Sequence, residues 1–345
     1  MAARFDLDTH LQIRGPDIEP ELLQEAQQQA ITPYECLAYT RAFRPELLTS
    51  LHHVLIRRGQ HLAGILSYYE RRRALVVVNR LLRLPEEVLQ ECAQLMLGRH
   101  RRANAVQMDG LYSAAATRQP GAHVFDWPTI DCAEVELPAS FDAYMQHFGS
   151  ATRKNLRYCA RRLEREFPAA RFEMVRGDEM SQEIVASVIE LNHLRMASKG
   201  KASGMDETFA AHMAALVQSH GVGCIVIEGS KVVAGTLCSR IGVGWTLHVI
   251  AHDPRFNHLR LGLLCLLRSV EEAIAASATR FNFLWGASDY KTLFGAQIRP
   301  LHARRYYRSR LGRLLAACDL KEAVTHSLRR NAVTWRKRHR SRKPA

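Results

Sequence analysis

Phe281-Asn282-Phe283-Leu284-Trp285-Gly286-Ala287-Ser288-Asp289-Tyr290-Lys291-Thr292-Leu293-Phe294-Gly295 is the stretch from which the chain is best read. An apolar, strand-like run ends at a glycine, and the chain then turns into an Asp-Tyr-Lys triplet. α/β proteins present chemistry in this way, because a buried strand carries polar side chains out at its carboxyl end, where a crevice forms. Asp, Tyr and Lys can together accept a proton, donate one and hold an anion. Read without chemistry, the same letters are a strand end followed by a solvated turn.

The elements around it repeat. Residues 53–68 read as a β-hairpin turning at Gly59-Gln60. A strand over Ala74–Asn79 follows, then a helix opened by Pro85 with Val88, Leu89, Cys92, Leu95 and Met96 on one stripe, then a strand near Ala105–Met108. The second half has the same order: a strand over Gly223–Glu228, a turn at Gly229-Ser230, a returning strand over Val232–Ser239, a turn at Gly242–Gly244, a strand over Trp245–Ile250, a helix from Leu261 to Ala276, and the Phe281–Leu284 strand. IRRGQHLAGILS (56–67) lies over IEGSKVVAGTLC (227–238) at an offset of 171 residues, with four letters shared. A duplicated α/β unit is the preferred reading. Between the halves, Pro120 to Pro138 reads as a linker with one strand, and Thr152 to Phe167 as a basic helix capped by Ser150 or Thr152.

Bulk composition bounds the class. A length of 345 residues suggests about two domains. The 47% hydrophobic and 24% charged fractions are those of a globular chain. No apolar run approaches the roughly 18–20 residues that span a bilayer, and MAARFDLDTHLQ lacks the charged and apolar regions of a secretory signal. Eight cysteines with no C-x-x-C pair, most in apolar runs, read as free buried thiols of a cytoplasmic protein. Net charge is +14, and residues 329–345 carry eight Lys/Arg and no Asp/Glu, so the rest of the chain is at +6. That tail is a candidate contact for tRNA, other nucleic acid or an anionic membrane face, although a solvated terminus is the preferred reading.

No P-loop, G-x-S-x-G, H-E-x-x-H or strand-borne G-x-G-x-x-G motif occurs. His248 and His252 are four apart, but on a strand that spacing is about 13 Å, so no metal site is expected. His248 sits in a strand where a satisfied core histidine is the commoner outcome.

Taken together, several segments in order resemble the GNAT superfamily, and within it the Fem-type and CelD-type (cellulose or exopolysaccharide biosynthesis) branch. They are Arg153-Lys154-Asn155-Leu156-Arg157 with Arg162-Leu163-Glu164; His193-Leu194-Arg195 with Lys199-Gly200; Val233-Ala234-Gly235; His252-Asp253-Pro254 running into Gly262-Leu263-Leu264; and Gly286, Tyr290-Lys291 and Phe294-Gly295. The resemblance spans roughly Glu136 to Tyr307. It implies an α/β fold of tandem GNAT-like units, each a mixed, mostly antiparallel sheet flanked by helices. The division would be a degenerate, catalytically silent unit over 1–135, an acyltransferase unit over 136–310, and a helix with the basic tail over 311–345.

The resemblance further implies an acyl-CoA-dependent N- or O-acyltransferase, with acetyl-CoA as cosubstrate, no metal, and a small-molecule, saccharide or amine acceptor. Fem-type relatives take amino acids from aminoacyl-tRNA instead, and a non-catalytic scaffold of the same fold is a third expectation. Asp289, Tyr290, Lys291 and His248 are the expected catalytic residues. Ile250, Arg255, His258, Arg260, Leu261 and Gly262 would surround the pyrophosphate at a helix N-terminus. Arg153, Arg157, His193, Arg195 and Lys199 would face the acceptor. One departure stands out: the family's phosphate turn reads Gln/Arg-x-x-Gly-x-Gly/Ala, and this chain has Leu259-Arg260-Leu261-Gly262, with a single glycine.

Overall fold

The structure is a computed structural model that describes residues 9–112 and 123–310, with 312, 321, 324 and 325 beyond them. The basic tail over 329–345, and Cys318, lie outside the described residues. The strands are β1 (Thr9–Arg14), β2 (His52–Arg58), β3 (His61–Arg71), β4 (Ala74–Val77), β5 (Ala105–Leu111), β6 (His123–Glu136), β7 (Arg171–Arg176), β8 (Gly221–Glu228), β9 (Lys231–Ile241), β10 (Gly244–His252), β11 (Arg280–Trp285) and β12 (Gln297–Tyr307). The helices are α1 (Pro20–Gln29), α2 (Ala38–Phe43), α3 (Glu86–Arg99), α4 (Phe141–Gln146), α5 (Ser150–Glu166), α6 (Gln182–Ala197), α7 (Glu207–His220), α8 (Leu261–Ala275) and α9 (Asp289–Leu293).

All twelve strands form one sheet in the order β1-β2-β3-β4-β5-β12-β6-β11-β10-β9-β8-β7. The two halves mirror each other across its middle. Each runs antiparallel through its hairpins and then adds one parallel pair, β4 with β5 and β10 with β11, across a helix, as parallel neighbours need a crossover connection. Each half also lends a strand to the other. β6 follows β5 in the chain but pairs with β11, and β12 follows β11 but pairs with β5. β6 and β12 pair with each other over most of their length. The segment read as a linker with one strand is mostly a fourteen-residue central strand, and its Pro128 lies beside the register shift in the ladder to β12.

The repeat is real in space, but its register differs from the letters. In β2–β3 the ladder shifts between Ile56 and Arg57, and in β8–β9 it shifts between Val226 and Ile227. The same hairpin with the same bulge therefore recurs at an offset of 170, with Gly59 matching Gly229, both at positive φ. The offset of 171 is one residue out, which on a pleated strand would exchange the two faces.

Alternation along the strands sorts two cores. Ile225, Leu237, Val249 and Ala251 pack with α6 and α7, whereas Cys224, Val226, Cys238, Trp245 and Leu247 face α8 and its neighbours. The described cysteines are all free and buried, as expected. The basic helix α5 begins two residues before the expected start, and Gly149 occupies its cap position without a side-chain cap. Gly242 and Gly244 do form the hairpin turn, and they are constrained further. A Cβ on Gly244 would run into the carbonyl of Ile31, so the link between α1 and α2 docks against the start of β10. No helix among the described residues is long and apolar enough to cross a membrane.

Candidate functional site

β10 and β11 stay paired only from Gly244–Thr246 to Arg280–Asn282. Beyond that point they separate, and each carries a bulge at the fork. On β10 the ladder to β9 skips His248, between Leu247 and Val249. On β11 the ladder to β6 skips Phe283, between Asn282 and Leu284. The His248 bulge explains why Leu247 and Val249, two residues apart, pack on opposite faces: one inserted residue reverses the alternation. A cleft of about 310 Å³ opens between the separated strands, roofed by α2, α6 and α7.

Five of the expected site residues line this cleft: His248, Ile250, Arg195, Tyr290 and Lys291. His248 Nε2 lies 2.8 Å from Ser239 Oγ, and burial pushes its imidazole down to about 3, so the ring is neutral at working pH and a weak base. Tyr290 is pushed up to about 12 by burial and stays a phenol, able to donate a proton. Arg195 Nη2 donates to Asn192 Oδ1 at 2.9 Å, while its Nε is buried with no hydrogen-bond partner.

Lys291 departs from the expected role. Its ammonium donates to the carbonyls of Leu284 (3.2 Å), Trp285 (2.6 Å) and Gly286 (3.1 Å), which uses all three of its N–H groups. It holds no anion. Instead it fastens the end of β11, where Leu284 sits at φ 55° and Gly286 at φ 78°. Asn282 Oδ1 braces the same turn by accepting from Leu284 N at 2.7 Å. Asp289 is exposed and does not line the cleft; the triplet forms the first turn of α9 rather than a loop.

The turn before α8 is close by. Asp253 accepts from Arg255 N and pairs with the Arg255 side chain, and His258 Nε2 lies 3.5 Å from Glu166 of α5, so both side chains already face carboxylates. Arg260 takes the left-handed conformation (φ 52°, ψ 37°) two residues before Gly262. It therefore occupies the place of the motif's first glycine, in a left-handed conformation that glycine adopts without steric cost. Gly262 is closely packed: a Cβ there would sit 3.0 Å from His252 Nδ1 and 3.5 Å from Ile250, so the His252 ring would have to shift. Leu261 is buried beneath the turn. The α8 N-terminus therefore meets β10 beside the cleft, and the close cradle at Gly262 suits a pyrophosphate at free helix N–H groups.

The remaining expected residues serve the scaffold or lie outside. Arg153 donates to Phe148 O (2.7 Å) and Met145 O (3.4 Å), joining α5 to α4. His193 Nε2 lies 2.6 Å from Met205 O and ties α6 to the segment before α7. Arg157 and Lys199 are exposed. Lys199 and Arg195 nevertheless lie near enough to His252 that, after burial, their charges push its imidazole below the ordinary value. Among the described residues no cluster of three or more His, Cys, Asp or Glu is arranged to hold a metal ion.

Sequence reading missed the aromatic roof. Tyr34 and Tyr39 stack at 4.3 Å, Tyr39 and Phe43 stack at 4.3 Å and 9°, and Trp285 meets Tyr34 edge-on at 5.4 Å. The spacing of Tyr34, Tyr39 and Phe43 near one short helix was the available signal, but its target, a cleft 200 residues downstream, was not legible.

Residues 150–292 match the family model of the acetyltransferase (GNAT) domain, a span that runs from α5 to α9 and carries the cleft lining except Tyr34, Tyr39 and Phe43. The fold is similar to that of FemX, at 9% identity and a TM-score of 0.61 over 85% of this chain and 96% of that one. It is also similar to the C-terminal domain (DUF2156) of a putative lysylphosphatidylglycerol synthetase from Agrobacterium fabrum, at 12% identity and a TM-score of 0.53 over 87% and 95%. L-PGS from Bacillus licheniformis aligns at 12% identity and a TM-score of 0.50 over 91% and 96%. At these identities the likeness is one of fold. Comparison with curated protein sequences finds no significant match.

Proposed function

We propose that the chain is an acyltransferase that takes its acyl group, in the first instance acetyl, from a coenzyme A thioester and passes it directly to an amine or hydroxyl acceptor. The observation that carries this reading is the fork of β10 and β11, with a bulge on each strand, next to the α8 N-terminus. The separated strand edges leave backbone groups free for a thioester carbonyl and its developing charge. Arg260, Leu261 and Gly262 would meet the pyrophosphate. Arg255 and His258, already paired, would contribute less.

In the transfer, the acceptor heteroatom bonds to the acyl carbon and the carbon–sulfur bond breaks with its electrons on sulfur. Tyr290 protonates the sulfur and regains the proton that the acceptor loses. His248, held neutral, orients the acceptor by hydrogen bonding. Lys291 keeps the strand end in place. The N-terminal half is not silent in this scheme, because its Tyr34, Tyr39 and Phe43 roof the cleft.

Calorimetric titration with acetyl-CoA tests the donor. Binding in the micromolar range, with Tyr290→Phe binding equally well but turning over at least about 100-fold more slowly, supports the reading. A well-folded sample that binds no acyl-CoA sinks it.

The fold likeness to FemX, together with arginine in place of the first phosphate-turn glycine, favours a second donor, aminoacyl-tRNA. Transfer abolished by ribonuclease would identify that donor. The motif resemblance to the exopolysaccharide branch suggests a saccharide hydroxyl among the acceptors to screen, and an acyl-CoA-blind, saccharide-binding protein would point to a scaffold.

A further inference from the structure

We infer that the cleft takes a free amino acid with an aromatic or bulky apolar side chain, its carboxylate on Arg195, its side chain against the Tyr34–Tyr39–Phe43 ladder and its α-amine at the fork between His248 and Tyr290. This rests on the transferase reading for its consequence, N-acylation of that amine.

Three features of the cleft converge on such a ligand. The first is charge. Among the described residues that line it there is no Asp or Glu, while Arg195 and Lys291 both do. Lys291 is satisfied by three carbonyls. Arg195 bonds a neutral amide, and its Nε is buried without a partner. A partly buried guanidinium with no carboxylate facing it leaves room for an anion, and its planar fork suits a carboxylate.

The second feature is the wall. Ring spacings of 4.3 Å along Tyr34, Tyr39 and Phe43 make a continuous aromatic surface, extended by Phe209 at 5.5 Å from Phe43. Acetyl alone is far too small to need it. Such a wall rewards a flat or branched apolar side chain. The third is size: about 310 Å³ holds a molecule of roughly a dozen heavy atoms, at the small end of ligand pockets.

Calorimetry on the full chain tests this without relying on turnover. The probes are L-phenylalanine, L-phenylalaninamide, which lacks the carboxylate, and glycine, which lacks the side chain. L-Phenylalanine should bind about 10- to 100-fold tighter than either of the others, the scale expected of a hydrogen bond to a charged group. Arg195→Met should remove the discrimination against the amide, and Arg195→Lys should keep part of it, with circular dichroism confirming that both variants fold. Equal binding of acid and amide by the wild type, or no binding of L-phenylalanine with or without acetyl-CoA, overturns the inference. A saccharide acceptor that competes for the cleft overturns it as well. Acetyl-CoA bound with no amino acid bound would leave the transferase standing and remove this acceptor. An amino acid bound but never acylated by acyl-CoA would keep the pocket and remove the transferase.

Discussion

Lys291 Nζ donates to the carbonyl oxygen of Trp285 at 2.6 Å, and to those of Leu284 and Gly286 on either side of it. An ammonium caged by three consecutive carbonyls fixes the place where β11 leaves the sheet. The strand reaches that place through a non-glycine residue at positive φ, Leu284, a conformation that persists only where its surroundings over-determine it. The fork that defines the cleft is thus held open by a charge buried behind it.

Lys291→Met should therefore destabilise the protein by about 3 kcal/mol, because three strand-end carbonyls lose a charged donor at once. Urea denaturation measures this. The residual activity of folded Lys291→Met should also fall, since the fork relaxes. A loss under 1 kcal/mol would show that water replaces the ammonium freely.

Arg260 tests the phosphate turn. A left-handed conformation costs a non-glycine residue about 1–2 kcal/mol, and glycine nothing, although glycine also loosens the unfolded chain. Arg260→Gly should stay within about 1 kcal/mol of the wild type, while Arg260→Val should lose about 1–2 kcal/mol more. If acetyl-CoA affinity falls in Arg260→Val but holds in Arg260→Gly, backbone geometry matters more than the guanidinium.

Gly244→Ala should cost at least about 2 kcal/mol, because the new methyl meets the Ile31 carbonyl and neither chain can yield easily. The same change should weaken acceptor binding, since the displaced segment carries Tyr34. Gly204→Ala, with no atom within 4 Å of its Cβ, is the control and should change stability by no more than about 0.5 kcal/mol. Equal effects at the two sites would contradict the docking argument.

The pH dependence follows from the buried thiols and imidazoles. Cys36, Cys92 and Cys238 are pushed up to about 12 by burial. An unfolded thiol ionises near 8.5, so their contribution is whole below that pH and is lost as pH climbs toward 12. Lys291, pushed down to about 8 by burial, acts the other way: the unfolded chain keeps that proton to about 10.4, so this one group gains stability between those values. Three thiols outweigh one amine, and stability should fall on the order of 2 kcal/mol between pH 8 and 9.5 under reductant. On the acid side, His53 and His248, pushed down to about 4 and about 3, stay neutral while the unfolded chain takes up protons below about 6.5. Stability should therefore also fall from pH 6.5 to 5, and less so in His248→Gln, with part of the loss offset by Glu35, which burial pushes up to about 7 so that the folded chain takes up its proton first. A flat profile across either window would count against the burial of these groups.

Much of the fold was legible because its signals are local. Hairpins over 53–68 and 223–239, the helix after each third strand and the strand at 281–284 follow from alternation, turn glycines and helical stripes, and all appear in the structure. The segment of β6 reads in the sequence as a linker with one strand; the length and central place of that strand were not legible, because Pro128 and mixed polarity mask it and its partners lie more than 140 residues away. The repeat was read one residue out of register because four shared letters carry less information than the placement of a bulge.

The site divides in the same way. Sequence alone determined that residues 281–295 end a buried strand at a turn bearing Tyr290 and Lys291, since composition and periodicity act over a few residues. Only tertiary structure decided what those side chains do. The His248 bulge is a ladder between two strands, the Lys291 cage needs a backbone path set by Asn282 and Leu284, and the aromatic roof needs Ile31 docked on Gly244. Arg153, His193, Arg255 and His258 looked available in the sequence and are engaged in the fold, because partners for a charge or a ring nitrogen come from whichever elements pack beside it. Local order is written in neighbouring residues; the availability of a functional group depends on contacts that form only when distant segments meet.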